Sequence, residues 1–427
     1  MNRDSFFKEE NLRSTSLGRL PQDWKIISLK EIAKTCSGGT PSRARKEYYG
    51  GKIPWVKSGE LNDAIIYSSE ERITEDGLRH SSAKLLPKGT LLVAMYGATV
   101  GKTGILGIEA ATNQAICAIS ASREELDLNY LQQQIIHKRD DLISAAAGGA
   151  QPNISQGIIR SIRFPLPPIR EQRRIADILS TVDQCNQKVS EIVAKSELLR
   201  TGIMRGLLTN GLEHKEFQHT EFGRIPKEWK LVRLSELISF GPQNGVYKEA
   251  KYYGEGVLII RIENFGFGTL RKELALKRIR LTNEELSTYS IKAGDIILNR
   301  VNSIEFVGKS ILISTVREPM VFESNMMRFS IRKNEANPEF IVRYLNSDLA
   351  LRYIRSKAKR AVHQASINQQ DVRSIPIYLP PIDEQRRIAS DIAIAERKLE
   401  LERDEKTKLE RLKRGLMPLL LTGRIRS

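Results

Sequence analysis

The chain contains the same sequence pattern twice. Residues 18–32 read GRLPQDWKIISLKEI and residues 223–237 read GRIPKEWKLVRLSEL, with seven of fifteen positions identical. Residues 166–176 read LPPIREQRRIA and residues 379–389 read LPPIDEQRRIA, with ten of eleven positions identical. Two copies of about 210 residues are too long and too few for a solenoid of short repeats. The duplication therefore predicts two homologous globular domains, each followed by the same kind of segment.

The two copies agree at their ends and differ in the middle. Weaker matches between the ends pair Gly89-Thr90-Leu91-Leu92 with Gly294-Asp295-Ile296-Ile297, and Val100-Gly101-Lys102-Thr103 with Val307-Gly308-Lys309-Ser310. A shared framework that carries two divergent surfaces is the simplest interpretation. We expect a first domain at 1–165, a central helical spacer at 166–211, a second domain at 212–378 and a C-terminal helical spacer at 379–427.

Each domain mixes strands, turns and short helices. Alternating or continuous apolar runs predict strands at 53–59, 90–97, 257–262 and 295–301. Glycine, proline and asparagine predict loops at 38–43 and 241–245, and Asp127 and Asn337 are typical helix starts. The domains are therefore expected to be of the α+β class.

The segment after each Pro-Pro pair is predicted to be one long helix. Apolar or small residues recur at alternating spacings of three and four at positions 175, 178, 182, 185, 189, 192, 196, 199 and 203, which is a coiled-coil pattern. The second copy follows a similar rule, interrupted at Glu402 and Lys406. Helices of about 40 residues would be about 60 Å long. We expect the two helices to pack on each other antiparallel, giving the molecule a pseudo-twofold internal repeat.

Charge and composition favour a nucleic-acid partner. The chain has 427 residues, a net charge of +17 and a pI near 9.7, and positive charge of this size is typical of chains that neutralise phosphates. Three scattered cysteines and five histidines without paired-ligand spacing predict no disulfide framework and no metal site. No apolar run is long enough to span a membrane, and the polar N-terminal segment lacks a signal-peptide core, so we expect a cytoplasmic location.

Several motifs approach a catalytic pattern without meeting it. Residues 97–103, GATVGKT, have three residues between the glycines where a P-loop needs four. Residues 337–340, NPEF, lack the second proline of an amino-methyltransferase motif, and 265–268, FGFG, do not fit a loop that binds S-adenosylmethionine. A nuclease-like Asp404-Glu405-Lys406 run lies on a predicted coiled-coil helix, where charges are usually solvated. The sequence predicts no catalytic residues.

The duplicated order of LPxxW and LPPIxEQRRIA resembles the specificity subunits of type I restriction-modification systems across essentially the whole chain. The resemblance implies a non-catalytic DNA reader in which each target-recognition domain reads one half of a bipartite site in double-stranded DNA. It also implies that the helices set the gap between the halves, that two methyltransferase subunits dock, and that restriction/translocase subunits join them. The chain itself is expected to bind no cofactor, because S-adenosylmethionine belongs to the methyltransferase subunits.

The resemblance does not say which side chains touch DNA, so we rank candidates by chemistry. Arg, Lys, Asn and Gln read base edges, while phosphates take Lys, Arg, Ser and Thr. The DNA-binding candidates are Thr40, Arg43, Lys57, Tyr96, Lys102, Gln151, Asn153, Gln243, Asn244, Lys248, Arg261, Arg300, Asn302, Lys309, His363 and Gln364. The lysines of the two Val-Gly-Lys runs are expected either to face a phosphate backbone or to lie in a structural turn.

The charged residues that open both helices are candidates for partner binding. They are Glu171, Arg173, Arg174, Glu384, Arg386 and Arg387. Near-identity in two divergent halves favours contact with two copies of one partner, while helix capping and local charge pairing is the alternative. Two other functions remain open: a self-sufficient DNA methyltransferase or nuclease, and a coiled-coil scaffold that reads no sequence.

Overall fold

We describe a computed structural model of the chain covering residues 12–146, 153–221, 223–264, 266, 268, 270, 275–362 and 364–426. The chain divides into two compact units. Unit 1 runs to Ser190 and also includes the segment from Asp404 onward, whereas unit 2 is the continuous stretch Glu191–Arg403. The division falls within both long helices, so each unit contains one globular domain and one part of each helix.

Unit 1 contains twelve strands among its described residues. They are β1 (Leu12–Thr15), β2 (Gly18–Pro21), β3 (Lys25–Ser28), β4 (Ala33–Ser37), β5 (Tyr49–Val56), β6 (Ala64–Ile66), β7 (Glu71–Ile73), β8 (Leu91–Ala94), β9 (Thr103–Leu106), β10 (Ala111–Thr112), β11 (Ile116–Ala121) and β12 (Arg163–Leu166). The helices in chain order are α1 (Leu29–Ile32), α2 (Glu75–Arg79), α3 (Leu128–His137), α4 (Arg139–Ala145), α5 (Gln156–Ser161) and α6 (Ile169–Asn210), of which α6 continues into unit 2.

Unit 2 repeats this plan. Its strands are β13 (Phe217–Thr220), β14 (Gly223–Pro226), β15 (Lys230–Arg233), β16 (Ile238–Asn244), β17 (Tyr253–Ile260), β18 (Lys277–Ile279), β19 (Asp295–Asn299), β20 (Val301–Asn302), β21 (Ser310–Leu312), β22 (Met320–Phe322), β23 (Met326–Ile331), β24 (Lys359–Ala361), β25 (Gln364–Ser366) and β26 (Pro376–Leu379). Its helices are α7 (Leu234–Leu237), α8 (Asn283–Tyr289), α9 (Pro338–Leu345), α10 (Asp348–Lys357), α11 (Gln369–Arg373) and α12 (Ile382–Leu421), of which α12 continues into unit 1.

The two main sheets of unit 1 have counterparts in unit 2, with one strand fewer in the larger sheet of unit 2. Unit 1 has a sheet in the order β4-β11-β8-β9-β6, and unit 2 has its counterpart in the order β16-β23-β19-β21. A second sheet, β10-β5-β7 in unit 1, matches β22-β17-β18 in unit 2. Antiparallel pairing dominates, with parallel pairs at β6–β9, β5–β10 and β17–β22. The predicted α+β class and the internal repeat are confirmed.

Most of the predicted elements appear close to their expected positions. The four predicted strands correspond to β5, β8, β17 and β19. Asp127 caps α3 by accepting a hydrogen bond from the Tyr130 backbone N–H, and Asn337 caps α9. The predicted loop at 241–245 is wrong, because β16 continues to Asn244 with irregular register around Gly241-Pro242. A bulge of this kind keeps a proline within a paired strand.

The two long helices are present and their stretches pair antiparallel within each unit. Helix α6 has 42 residues and α12 has 40. In unit 1, Asp183 of α6 contacts Lys413 of α12 at 2.5 Å. In unit 2, Glu197 contacts Arg403 at 2.5 Å. The residue numbers rise along one helix as they fall along the other, which is the expected antiparallel arrangement.

The predicted inward positions of α6 are half correct. Ile175 is buried, but the predicted positions Ile178, Cys185, Ile192 and Leu199 are exposed. The next residue in each case, Leu179, Asn186, Val193 and Arg200, is less exposed. A spacing of three residues from position 175 selects Ile178, and a spacing of four selects Leu179. Both spacings fit the sequence almost equally, because apolar residues stand at both 178–179 and 192–193.

The ends of the long helices exchange partners between the copies. Gly211, just after α6, lies against Trp229 of the second copy, and Gly423, just after α12, lies against Trp24 of the first copy. Both glycines have a left-handed backbone, with φ of +66° and +67°, and an added Cβ would meet the indole rings at 2.8 Å and 3.1 Å. Each domain is therefore completed by the helix end that belongs to the other copy.

Candidate nucleic-acid interface

The predicted loops of the first domain converge at one edge. The Met95 N–H donates to the Ala115 carbonyl at 2.8 Å, and the Ile154 N–H donates to the Met95 carbonyl at 2.8 Å. The Gly38 N–H donates to the Ile116 carbonyl at 3.2 Å. These bonds join loop 38–43, segment 95–102, turn 113–115 and segment 153–156 into what we name the first loop edge.

The second domain builds the same edge from corresponding bonds. The Arg300 N–H donates to the Asn325 carbonyl at 2.9 Å, and the Ile367 N–H donates to the Arg300 carbonyl at 2.9 Å. The Gly245 N–H donates to the Met326 carbonyl at 3.1 Å. Strands β20, β25 and β24 extend this edge as a three-stranded sheet. We name the second loop edge as segments 244–248, 299–309, 323–326, 359–362 and 364–366.

Five of the predicted DNA-binding cations are paired with carboxylates. The pairs are Arg43–Glu71 at 2.7 Å, Lys57–Glu70 at 2.9 Å, Lys102–Asp63 at 3.2 Å, Lys248–Glu285 at 2.6 Å and Arg261–Glu323 at 3.2 Å. A phosphate would compete with these carboxylates for each cation, so pairing reduces the charge that is available. It also orients the side chain, because long cationic side chains are otherwise free to rotate.

Arg43 shows how such orientation is built. Both terminal nitrogens of its guanidinium contact Glu71, and the group lies over the rings of Tyr49, at 4.4 Å, and Trp55, at 5.2 Å. The Glu71 carboxylate raises the pKa of Arg43. The side chain remains exposed. Glu71 occupies the fork between the two terminal nitrogens, so a base or a phosphate would have to use the remaining N–H groups of the guanidinium.

Asp63 holds the loop that carries Lys102. Its carboxylate accepts bonds from the Thr103 backbone N–H at 3.0 Å and from Arg139 at 2.5 Å, beside Lys102. Arg139 also donates to the Gly101 carbonyl at 2.9 Å. Burial acts to raise the pKa of Asp63, but the Thr103 bond and the charges of Arg139 and Lys102 outweigh burial and lower it. The carboxylate therefore stays ionised and fixes the loop.

Lys309 does not match Lys102, although both follow a Val-Gly pair. Only 5% of Lys309 is exposed, and its ammonium lies 4.0 Å from the centre of the Phe306 ring. A side chain buried this deeply presents no surface to a phosphate. We therefore withdraw Lys309 as a phosphate contact and assign it to the structural turn that was the alternative.

Several amides and hydroxyls predicted to read bases have intramolecular partners. The Gln243 amide donates to the Thr288 carbonyl at 3.2 Å and accepts from Arg328 at 2.6 Å, so both its polar atoms are used within the domain. We withdraw Gln243 on this ground. Thr40 donates to Gln114, Arg300 donates to the Ser324 carbonyl at 3.3 Å, and Asn302 accepts from the Ser303 N–H at 2.8 Å.

The remaining candidates divide by exposure. Asn153, Asn244 and Gln364 are exposed at the two edges, and Tyr96 is half-buried against the core of the first domain. Gln151 and His363 lie outside the described residues. All of these stay predictions, because the structure contains no DNA.

Two further residues at the edges escaped the sequence analysis. Gln114 is exposed in the turn between β10 and β11, directly beside Thr40. Tyr247 is 77% exposed between Asn244 and Lys248. The available signals were an Asn-Gln pair between two apolar runs and an aromatic residue inside a polar loop.

The carboxylates at the starts of the long helices have an internal role. Glu171 accepts a bond from the Trp24 indole N–H at 3.1 Å and contacts Arg426 at 2.7 Å. Glu384 accepts a bond from the Trp229 indole N–H at 3.1 Å and contacts His214 at 2.8 Å. We withdraw both as partner contacts, since their oxygens are engaged inside each unit.

The four arginines beside these carboxylates are on the surface of the chain. Arg173, Arg174, Arg386 and Arg387 are all exposed. Arg173 is 3.9 Å from Asp127, and Arg386 is 3.0 Å from Asp383. Their role in partner binding stays a prediction.

The described residues include no cluster of three or more His, Cys, Asp or Glu that could hold a metal ion. In the same part of the chain, none of the helices is both long and apolar enough to cross a membrane.

Each of the two homologous domains presents a polar and cationic loop edge, and the chain also contains two long paired helices. This arrangement defines a two-domain sequence-recognition protein of the DNA-binding class. Residues 21–195 and 226–411 each match the type I restriction modification DNA specificity domain. The two matches cover most of the chain, which therefore belongs to this family of non-catalytic specificity subunits.

Individual relatives agree over nearly full length. The chain is 28% identical to the type I restriction enzyme MjaVIII specificity subunit of Methanocaldococcus jannaschii, over 99% of this chain and 97% of that protein. It is 27% identical to the putative MjaX specificity subunit of the same organism, over 99% and 98%. The crystal structure of the S subunit from M. genitalium has the same fold, with a TM-score of 0.59 at 15% identity, covering 93% of this chain and 96% of that one.

Proposed function

We propose that the two loop edges read the two halves of one bipartite DNA site. The observation that carries this proposal is that both domains assemble their edges from corresponding backbone bonds while the side chains at those edges differ. Duplicated geometry gives both domains the same approach to the double helix, and divergent side chains give each its own half-site. The chain itself performs no chemistry on DNA.

The residues proposed to contact DNA lie on the two loop edges, apart from Lys57 and Arg261, which lie beside them. Arg261 contacts Glu323 of the second loop edge, and Thr99 of the first loop edge donates to the Ser58 carbonyl next to Lys57. The proposed residues are Thr40, Arg43, Lys57, Tyr96, Lys102, Gln114 and Asn153 in the first domain, and Asn244, Tyr247, Lys248, Arg261, Arg300, Asn302 and Gln364 in the second. Among these, arginine and lysine side chains suit the guanine edge and phosphates, whereas amides such as Gln364 suit the adenine edge.

The paired helices are proposed to set the gap between the half-sites and to dock two methyltransferase subunits. The exposed arginines at equivalent positions, Arg173 with Arg174 and Arg386 with Arg387, offer one docking surface per copy. Restriction/translocase subunits would join this complex, and S-adenosylmethionine would be bound by the methyltransferase subunits. We place the complex in the cytoplasm, where it meets cellular DNA.

Exchange of one domain tests the proposal. The Leu29 N–H bonds to the Ile162 carbonyl and the Leu234 N–H to the Ile375 carbonyl, both at 2.9 Å, so these pairs mark where each domain joins its framework. Replacing 29–162 by the same segment of another specificity subunit keeps the Trp24–Glu171 contact intact. Sequencing of the methylated sites should show one new half-site and one unchanged half-site.

The matched control exchanges residues 234–375 and should change only the other half-site. If either exchange altered both half-sites, the two domains would not be independent readers. If neither exchange altered the methylated sequence, the loop edges would not read DNA.

A further inference from the structure

A strongly basic segment lies beside the second loop edge. Residues 352–360 read RYIRSKAKR, so five of nine side chains are cationic, and they span the end of α10 and the first two residues of β24. The corresponding part of the first copy, residues 140–149, reads DDLISAAAGG and contains no Lys or Arg. The two domains therefore differ sharply in charge at one equivalent place.

The cations of this segment are not neutralised by carboxylates. Arg352 donates to the Asp348 carbonyl at 3.2 Å and Arg355 to the Glu305 carbonyl at 2.9 Å, which are backbone contacts. Within the described part of the chain, none of the five cations forms a salt bridge with Asp or Glu, in contrast to Arg43, Lys57 and Lys102. Lys357, Lys359 and Arg360 are exposed.

Sheet pairing brings these charges next to candidate base readers. In the β24–β25 hairpin Lys359 pairs with Ser366, and Ala361 pairs with Gln364. Strand β25 also pairs with β20, which places Ala365 opposite Asn302. Val362, at the hairpin turn, is 86% exposed. The segment thus borders the second loop edge on the hairpin side.

A polar groove continues the positive surface from Lys357. The groove has a volume of about 520 Å³ and is lined by Arg233, Arg373 and Lys357 together with Ser374 and Asp371. Arg233 lies 3.6 Å from Glu221, which leaves Lys357 and Arg373 as the other cations of the groove beside Asp371. Lys357 belongs both to this groove and to the basic segment.

Helix stabilisation explains only part of this composition. Cations in the last turn of a helix interact favourably with its dipole, which accounts for Arg355 and Lys357. Lys359 and Arg360 lie beyond the helix in an exposed strand, where that interaction is absent. Neither exposed cation is accounted for by the helix, so an anionic partner is the better explanation.

We propose that residues 352–360 bind the phosphate backbone of duplex DNA next to the half-site read by the second domain. This inference rests on the proposed function, and it adds an asymmetry: among the described residues of the first domain, the equivalent stretch 140–146 contains no Lys or Arg. The second domain holds DNA of any sequence, and the first domain depends more on base contacts for its share of the binding.

The test compares two triple variants of the full chain on a mixed-sequence 30-base-pair duplex, with binding measured by fluorescence anisotropy between 50 and 200 mM salt. The first variant is Lys357→Ala/Lys359→Ala/Arg360→Ala. The control is Lys230→Ala/Lys292→Ala/Lys333→Ala, which removes the same charge from exposed positions of the same unit outside the loop edge. The same duplex and the same range of salt concentrations are used for the two variants.

Three phosphate contacts contribute about 2.7 to the slope of log K against log salt, at about 0.9 each. The slope for the first variant should be smaller by that amount. When the salt rises from 50 to 200 mM, the drop in its affinity should therefore be about 40-fold smaller than the drop for the wild type. The control should keep the wild-type slope, and the methylated motif in cells should stay the same for both. If the triple variant does not fold, Lys359→Ala alone should reduce the slope by about 0.9.

Equal slope changes in the two variants would show a general effect of net charge and would overturn the proposal. An unchanged slope in the first variant would also overturn it, while leaving sequence-specific methylation and the proposed function intact. A changed methylated motif would make these side chains base readers instead. Failure of the proposed function has a different signature, namely no sequence-specific site for the wild-type complex.

Discussion

The paired helices can be lengthened by one turn without changing which side chains face inward. Because Glu197 contacts Arg403 at 2.5 Å, four residues inserted after Ser196 in α6 and four after Arg403 in α12 enter at the same level of the pair. At 1.5 Å per residue the insertion adds about 6 Å along the axis. It turns each helix by about 400°, only about 40° beyond a full turn.

The DNA gap should lengthen in proportion. B-form DNA rises about 3.4 Å per base pair, so 6 Å corresponds to about two base pairs. We expect the insertion variant, combined with its methyltransferase subunits, to methylate the same two half-sites with a gap longer by one or two base pairs. Sequencing of methylated sites in cells that carry the variant measures this directly.

A two-residue insertion at the same positions provides the control. It turns each helix by about 200°, which moves inward side chains such as Val193 to the outside and should abolish assembly. An unchanged gap in the four-residue variant would refute the reasoning, because the spacing would then be set by the partner subunits.

Three smaller perturbations test individual contacts. Glu171→Ala removes a buried acceptor of the Trp24 indole and should cost about 3 kcal/mol, since hydrogen bonds to charged groups contribute about 1.5–3 kcal/mol each; calorimetry should show the unfolding midpoint lowered by about 6–12 °C, and a shift under about 2 °C would contradict the assignment. Asp63→Asn should destabilise the chain by about 2 kcal/mol at neutral pH. Because the pKa of Asp63 is lowered in the folded chain, this stabilisation is present above the unfolded pKa near 3.9 and is lost as the pH falls through the folded pKa. In urea unfolding, the variant should therefore lose more stability at pH 7 than at pH 3. Equal losses of stability at the two pH values would exclude the ionised carboxylate. Lys102→Ala should reduce the salt slope of DNA binding by about one, whereas Lys309→Ala should leave the slope unchanged and lower only stability, and anisotropy titrations showing the reverse order would restore Lys309 as a phosphate contact.

The sequence was informative where a single segment determines its own structure. The duplication predicted two domains, and the caps at Asp127 and Asn337 marked helix starts correctly, because capping depends on a few neighbouring residues. The inward face of α6 was ambiguous, since two spacings fitted equally well and only packing decides between Ile178 and Leu179.

The electrostatic state of the candidate site could not be predicted in the same way. Lys57 and Arg261 read as free cations in the sequence, but each is held by carboxylates whose approach depends on strand pairing between distant segments. Lys102 and Lys309 share a local motif and differ in burial, because Phe306 covers only the second. Tertiary neighbours, not local residue types, decide which charges remain available for DNA.

The exchanged helix ends have a consequence for synthesis on the ribosome. Unit 2 is one continuous stretch, whereas unit 1 needs the segment from Asp404 onward to complete it. At about 5–20 residues per second, the ribosome takes about ten seconds or more to travel from Ser190 to Asp404. During that interval Trp24 and Glu171 lack their contacts with Gly423 and Arg426, which have not yet been synthesised. The domain that is synthesised first is therefore the one that completes its folding last.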